Sequence, residues 1–271
     1  MEGLLRLKIL RRFYGAMFMY AEPLIKLAYA SALAILVMAV SYLRRIEIGR
    51  DFSFAALRGF AQLMLLSIVL TYVFTSTIWH IFALPIFIAM ALLAGYTSAK
   101  RVGMPKATLI TTPSIAIGAT TSLAAMTVLK VIPLQPKFVI PLAGMAFGNA
   151  MNICSLTLNR LLSEVRNNRS RIEAMLALGA TAQQAVEQYE RTSIKSALIP
   201  SIDNMRTLGI IFIPGAMTGM LMAGIDPTTA AVYQISIFFM IISSGIVAAV
   251  NATYLTKKRL FTPAHQLAED V

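Results

Sequence analysis

The chain has 271 residues, 58% of them hydrophobic and only 13% charged, with a formal net charge of +12. A soluble domain carries about 25% charged residues, so this composition excludes an ordinary water-soluble fold. The Lys and Arg residues fall between apolar runs rather than in one patch, which argues for membrane lipid as a partner and against nucleic acid.

Residues 1–23 come first. Arg6, Lys8, Arg11 and Arg12 interleave with Leu4, Leu5, Leu7, Ile9, Leu10 and Phe13. That pattern predicts an amphipathic helix lying on a membrane face, ended by Glu22 and Pro23. From residue 24 to 258 the chain reads as a single transmembrane domain. Apolar stretches of roughly 20 residues, enough to cross a bilayer, recur along it. They are placed at Leu24–Leu43, Phe54–Phe74, Ile78–Tyr96, Thr108–Leu129, Phe138–Leu158, Thr207–Ala223 and Thr228–Leu255. The predicted class is all-α and polytopic, with about seven transmembrane helices. No alternating short strands suggest a β-barrel.

Basic residues orient the spans. Arg44, Arg45 and Arg50 follow the first, Lys100, Arg101 and Lys106 the third, and Lys257, Lys258 and Arg259 the seventh. Arg160, Arg166, Arg169 and Arg171 follow the fifth. The positive-inside rule puts these segments in the cytoplasm and, with seven spans, the N-terminus outside. A polar tail, 259–271, contains His265. His80 and Trp79 are read as interfacial residues at the outer end of the third span.

Within the second span, Arg58 and Gln62 are four apart and share a face. They read as a snorkelling interfacial pair or as a polar gate. Asn149, Asn152, Ser155 and Asn159 form a polar stripe on the fifth span, either glue between helices or a solute lining. Cys154 is the chain's one cysteine and permits no intrachain disulfide.

After the fifth span comes a long polar excursion, about 163–200. The fifth helix is expected to continue into water through Arg166 and Glu173 and to stop at Gly179, a residue tolerant of the left-handed conformation. Thr181 and Gln184 fit a capping box that restarts a helix. Glu187 and Arg191 can pair on its exposed face. The result is a cytoplasmic helical elbow, with an ordinary ordered loop as the alternative.

The sixth segment is weakened by Pro214, Gly215 and Gly219, and Met217 clusters there with Met220 and Met222. Broken helices can turn backbone carbonyls toward a cavity. The methionines read as gap-fillers or as weak soft-metal ligands. No Cys/His/Asp cluster has the spacing of a tight metal site, so metal ligands are not assigned. Asp203 is expected to cap the sixth helix, and Asp226, followed by Pro227, the seventh.

The series Glu173, Leu176, Leu178, Gly179, Ala180, Thr181 and Gln184, closing at Leu198-Ile199-Pro200, resembles the EAA-type coupling loop of ABC transporter permeases. The distance from Gly179 to Pro200 exceeds that of typical importers. From about Ser41 to Leu267 the chain is similar to the FetB-type permeases linked to bacterial iron export, with plant aluminium-tolerance relatives. The matching stretches include Arg58-Gly59-Phe60-Ala61-Gln62-Leu63, Ile140-Pro141-Leu142-Ala143-Gly144-Met145 and Pro214-Gly215-Ala216-Met217-Thr218-Gly219.

That resemblance implies the permease subunit of an ABC transporter in the cytoplasmic membrane, exporting iron or another metal. It implies a separate ABC ATPase and a second copy of the permease as partners. The seven elbow residues would then couple to the ATPase, and Arg58, Gln62, Asn149, Asn152, Pro214, Gly215 and Met217 would belong to a substrate pathway. No Gly-x-x-x-x-Gly-Lys-Ser/Thr loop occurs, so the chain is not expected to be an enzyme or to bind a cofactor. Mg-ATP would bind the partner. The rival readings are an ABC permease for a nucleotide sugar or another small polar solute, and a stand-alone ion-coupled carrier. The carrier would need an acidic ion site within the membrane, and its spans carry essentially no Asp or Glu.

Overall fold

A computed structural model describes residues 25–46, 48–262 and 266–268. The expected amphipathic segment 1–23 and His265 lie outside the described residues. Within them the chain is nearly all helix, without a sheet: α1 (Ile25–Arg44), α2 (Gly49–Thr75), α3 (Trp79–Val102), α4 (Thr108–Val128), α5 (Pro136–Asn167), α6 (Arg169–Ala177), α7 (Ala182–Arg206), α8 (Gly215–Met222) and α9 (Pro227–Leu260). Six of these helices, α1 to α5 and α9, are long and apolar enough to cross a bilayer. The chain is an integral, multi-pass, all-α membrane protein, as its composition predicts.

The chain divides after Tyr72 into two compact units. In the first, α1 and the leading part of α2 form a hairpin. Arg45, at φ 54°, turns the chain, and the Ile46 and Arg45 amides donate back to Ser41 and Tyr42 carbonyls. These bonds close the helix end in the αL manner usually left to glycine. The buried Ser41 hydroxyl accepts from the Gly49 amide at 3.0 Å and so ties the start of α2 to the end of α1.

In the second unit, α5 and α9 form the core and run in the same direction. Asn149 meets Ile241, Ser244 meets Ala146, and Leu161 and Leu260 share one buried cluster. Contacts between α4 and α9 are close because Gly118 lies against the backbone of Ser244 and Ala248. Small residues at such crossings let membrane helices approach.

Parallel α5 and α9 require the intervening chain to return across the bilayer. It does so in pieces. α7 runs up along α5 as far as Arg206, the chain turns through residues 207–214 with Gly209 at φ 77°, and α8 completes the passage. The predicted continuous span Thr207–Ala223 is therefore corrected. Only its second half is helical, because Gly209, Pro214 and Gly215 interrupt the run. Among the described residues, this broken passage joins the six continuous helices long enough to cross, in keeping with about seven transmembrane segments. Asp203 is not a cap either: it lies inside α7 and pairs with Arg206 at 3.0 Å. Asp226 does cap α9, its carboxylate accepting from the Thr229 amide at 3.0 Å.

Beyond the bilayer, α5 does not continue through Glu173 as expected. It stops at Asn167, and Asn168 breaks it with ψ 21°, its side-chain amide donating to the Glu164 carbonyl at 2.8 Å. Asparagine competes with the helical backbone in this way. The short α6 then leads to Gly179 at φ 90°, where the Gly179 and Ala180 amides bond back to Leu176 and Met175. α6 and α7 pack on the ends of α5 and α9 through Ile172, Val186, Leu161, Val165 and Leu260.

The segment after α9 is not simply a polar tail. Leu267 is 6% exposed and inserts into that same cluster. The Ala268 amide donates to the Leu260 carbonyl at 2.8 Å. Leu267→Ala should loosen α6 and α7 by about 2 kcal/mol, at the low end for a buried leucine. Limited proteolysis between α6 and α7 would speed up accordingly. An unchanged cleavage rate would show that the tail braces nothing.

Candidate functional site

Two features of the second unit stand out, a polar cleft and an exposed elbow. The cleft of ≈ 560 Å³ opens where the end of α3, one face of α5 and the upper part of α7 converge. On α5 the spacing of three, three and four residues brings Asn149, Asn152, Ser155 and Asn159 to one side. On α7, Ala197, Pro200, Ser201 and Asn204 face them. Pro200 removes an amide donor from α7 at this level. Arg101 reaches in from α3, its Nη1 donating to Asn152 Oδ1 at 2.8 Å.

The stripe serves both readings made from the sequence. Asn149 is glue: its Nδ2 donates to the Ile241 carbonyl on α9 at 2.7 Å. Gly245 makes room for that bond, since a Cβ there would lie 3.0 Å from Asn149 Nδ2 and 2.8 Å from Ile153 Cγ1. Ser155 turns back on its own helix. The side chains of Asn159, Ser201 and Asn204 have no hydrogen-bond partner among the described residues. They are free to meet a solute.

Within the second unit, Pro214, Gly215 and Met217 do not line this cleft. Arg58 and Gln62 are exposed on α2, in the first unit. Pro214 precedes α8, and the Met217 amide donates to the buried Gln234 Oε1 at 3.0 Å. What fixes the start of α8 is therefore a backbone amide and not a thioether. Met222 is 84% exposed. Among the described residues, no group of three His, Cys, Asp or Glu side chains could hold a metal ion.

At the elbow, the capping box is formed. Gln184 donates its amide to Thr181 Oγ1 at 3.3 Å, and the Thr181 amide donates to Gln184 Oε1 at 2.8 Å. Glu173 is engaged by Arg169 at 2.9 Å. Leu176 packs on the elbow's own core, and Ala180 is half-buried. Leu178 is the exception: it is 88% exposed at the very turn. Above the elbow, Lys257 of α9 reaches Glu190 of α7 at 3.1 Å, both largely buried.

Sequence reasoning missed three of these contributors. Arg101 passed for one more orienting charge. Ser201 and Asn204 lie just past the end of the predicted excursion and were given no role, although their spacing from Pro200 and Ala197 is a detectable helical stripe. The Glu190–Lys257 pair joins residues 67 apart, and no local pattern announces it.

The chain matches the model of the uncharacterised protein family UPF0014 over residues 24–261. It is 36% identical to the UPF0014 membrane protein STAR2 of Oryza sativa subsp. japonica over 92% of this chain and 87% of that protein. It is 31% identical to the protein ALUMINUM SENSITIVE 3 of Arabidopsis thaliana, covering 95% and 94% respectively. To the "Probable iron export permease protein FetB" of Escherichia coli (strain K12) it is 34% identical, covering 89% and 93%. No solved structure matches it.

Proposed function

The chain belongs to the uncharacterised protein family UPF0014, and from that premise we propose that it is the membrane-spanning permease subunit of an ATP-driven exporter, gripped at its elbow by a separate ATPase. The observation that carries this reading is Leu178. A leucine 88% exposed, on a turn closed by the Gly179 and Ala180 amides and followed by the capped start of α7, has no use for its own fold. Exposed apolar anchors on rigid supports are what a protein partner buries.

The elbow is also well placed to transmit movement. Its helices share one buried cluster with the ends of α5 and α9, so a pull on α6 and α7 reaches the walls of the cleft. Two ATPases closing on ATP would draw the elbows of two permease copies together and change the side on which the cleft is open. Mg-ATP stays on the partner. Iron or another metal is the cargo suggested by the relative named for iron export. A small polar solute is the second reading, favoured by the amides and hydroxyls that line the cleft.

The test is co-purification from native membranes, with ATPase activity assayed on the proteins retained by the permease. Leu178→Asp leaves the backbone alone and should lower retention of the ATPase by tenfold or more, the usual effect of losing a central anchor. Gly179→Val adds strain at φ 90° and should uncouple hydrolysis from transport while the protein stays inserted. Full retention and normal coupling in both variants would sink the elbow assignment.

A further inference from the structure

We propose that the cleft between α5 and α7 is an anion site: Arg101 receives a carboxylate or phosphate of a small organic anion, and a metal crosses only inside such an anion's complex. This rests on the transport reading above and specifies its substrate class.

The charge balance of the cleft comes first. Its lining holds one guanidinium and no carboxylate. Among the arginines of this unit, Arg160, Arg169, Arg191 and Arg206 each pair with an acidic side chain, Arg259 donates to backbone carbonyls, and Arg166 and Arg171, without an acidic partner among the described residues, lie outside the cleft lining. Arg101 lies within the lining and has no acidic partner among the described residues. It donates once, to a neutral amide oxygen, and its other N–H groups have no acceptor among the described residues. A guanidinium fork with donors to spare suits the paired oxygens of a carboxylate or phosphate.

A bare divalent cation meets the opposite conditions. Hard cations take several oxygen ligands, usually including carboxylates. Here the only oxygens are those of amides, hydroxyls and backbone, and Asn152 Oδ1 already accepts from Arg101. Arg101 is exposed, but its positive charge a few ångströms away still repels a second one. An anionic chelate reverses that sign.

Size and the opposite wall agree. A volume of ≈ 560 Å³ is in the range of small-molecule sites. Asn204 and Ser201 on α7 offer donors and acceptors across from Arg101, suited to the hydroxyls that hydroxycarboxylates and sugar phosphates share. α7 also carries the elbow, so movement of the elbow would part this wall from the arginine and release the anion.

The experiment uses the purified permease in lipid nanodiscs without ATPase, and equilibrium binding of four probes: citrate, ferric citrate, glucose 1-phosphate and bare ferrous ion. Saturable binding is expected for at least one anion and not for the bare ion. The carboxylate and phosphate probes separate the two sources of the shared chemistry. Arg101→Gln keeps a hydrogen bond to Asn152 and removes the charge, and should weaken anion binding about tenfold. Arg101→Lys keeps the charge but loses the fork, and its loss of affinity should be smaller than that of Arg101→Gln. Asn204→Asp touches no contact of Arg101 but sets a negative charge across the cleft, and should weaken anions by about tenfold as well. It decides the matter if Arg101→Gln fails to fold.

Saturable binding of bare ferrous ion, no saturable anion binding, or anion binding indifferent to both charge changes would each overturn the proposal. Retention of the ATPase is read on the same preparations before reconstitution. A cleft failure with the ATPase retained leaves the elbow reading standing. Loss of the ATPase in Leu178→Asp with anion binding intact supports both.

Discussion

Gly118→Leu should cost the protein a large share of its stability. An added Cβ at this position would come within 2.8 Å of the Ala248 backbone nitrogen and still closer to the Ser244 carbonyl. Neither is the tip of a side chain that can swing away. Both belong to the backbone of α9, the helix that also packs on α5. Relief requires α4 and α9 to separate, which breaks contacts that bury Ile115, Ala119, Ala248 and Ala252 completely. Overpacking of a well-filled core typically costs 1–3 kcal/mol. With unyielding backbone on one side, Gly118→Ala should already reach about 2 kcal/mol and leucine exceed about 3 kcal/mol, against a total stability of about 5–15 kcal/mol. Size-exclusion profiles and thermal unfolding in detergent would measure it. A leucine variant that elutes and melts like the parent would refute the packing described for α4 and α9.

Lys257→Met should be the next most damaging change. It leaves the Glu190 carboxylate, whose side chain is only 14% exposed, without its cation. Removing one partner of a buried ion pair costs 3–5 kcal/mol, and residual solvent contact reduces that here to about 2–3 kcal/mol. The double variant Lys257→Met with Glu190→Leu should recover most of the loss, because two apolar side chains can replace a buried pair at little cost. The functional effect should not follow stability. The pair joins α7, which carries the elbow, to α9. On the permease reading proposed above, the double variant should therefore be stable yet poorly coupled, which transport per ATP hydrolysed would measure. Melting curves of the single and double variants separate the two effects, and a double variant no more stable than the single would contradict the ion-pair account.

Much of this architecture is legible in the sequence, for physical reasons. Spans announce themselves because a bilayer demands long apolar runs, and α1 to α5 and α9 comply. The elbow is readable because glycine, threonine and glutamine at fixed offsets build a local stop and a local start, and Gly179, Thr181 and Gln184 do so. The broken crossing is less readable. Hydropathy averaged over Thr207–Ala223 is high, and averaging cannot see that Gly209 and Pro214 split the run. Its other half lies in α7, where Ile194, Ala197 and Leu198 bury one apolar face while Lys195, Asp203 and Arg206 sit on the same helix.

The cleft is half readable. Asn149, Asn152, Ser155 and Asn159 lie on one helix, so their common face follows from spacing alone. Arg101 and Asn204 arrive from other helices, and only the packing brings them there. A single leucine in a charged tail looks like nothing. Leu267 matters because Phe261 and Leu267 bridge and fold the tail back.

The discontinuous passage between α5 and α9 bears on how the protein enters its membrane at all. An insertion machine partitions segments one by one, and each Lys, Arg or Asp at a helix centre costs about 2.5–3.5 kcal/mol in that step. Of the two helices in this passage, α7 would fail such a test, since Lys195, Asp203 and Arg206 lie along it. It can lodge in the bilayer only as a passenger, drawn in once α9 has been threaded beside α5 and offers polar and small-residue surfaces to lie against. The helix that forms one wall of the cleft is thus the last to be built, and its placement depends on neighbours on both sides.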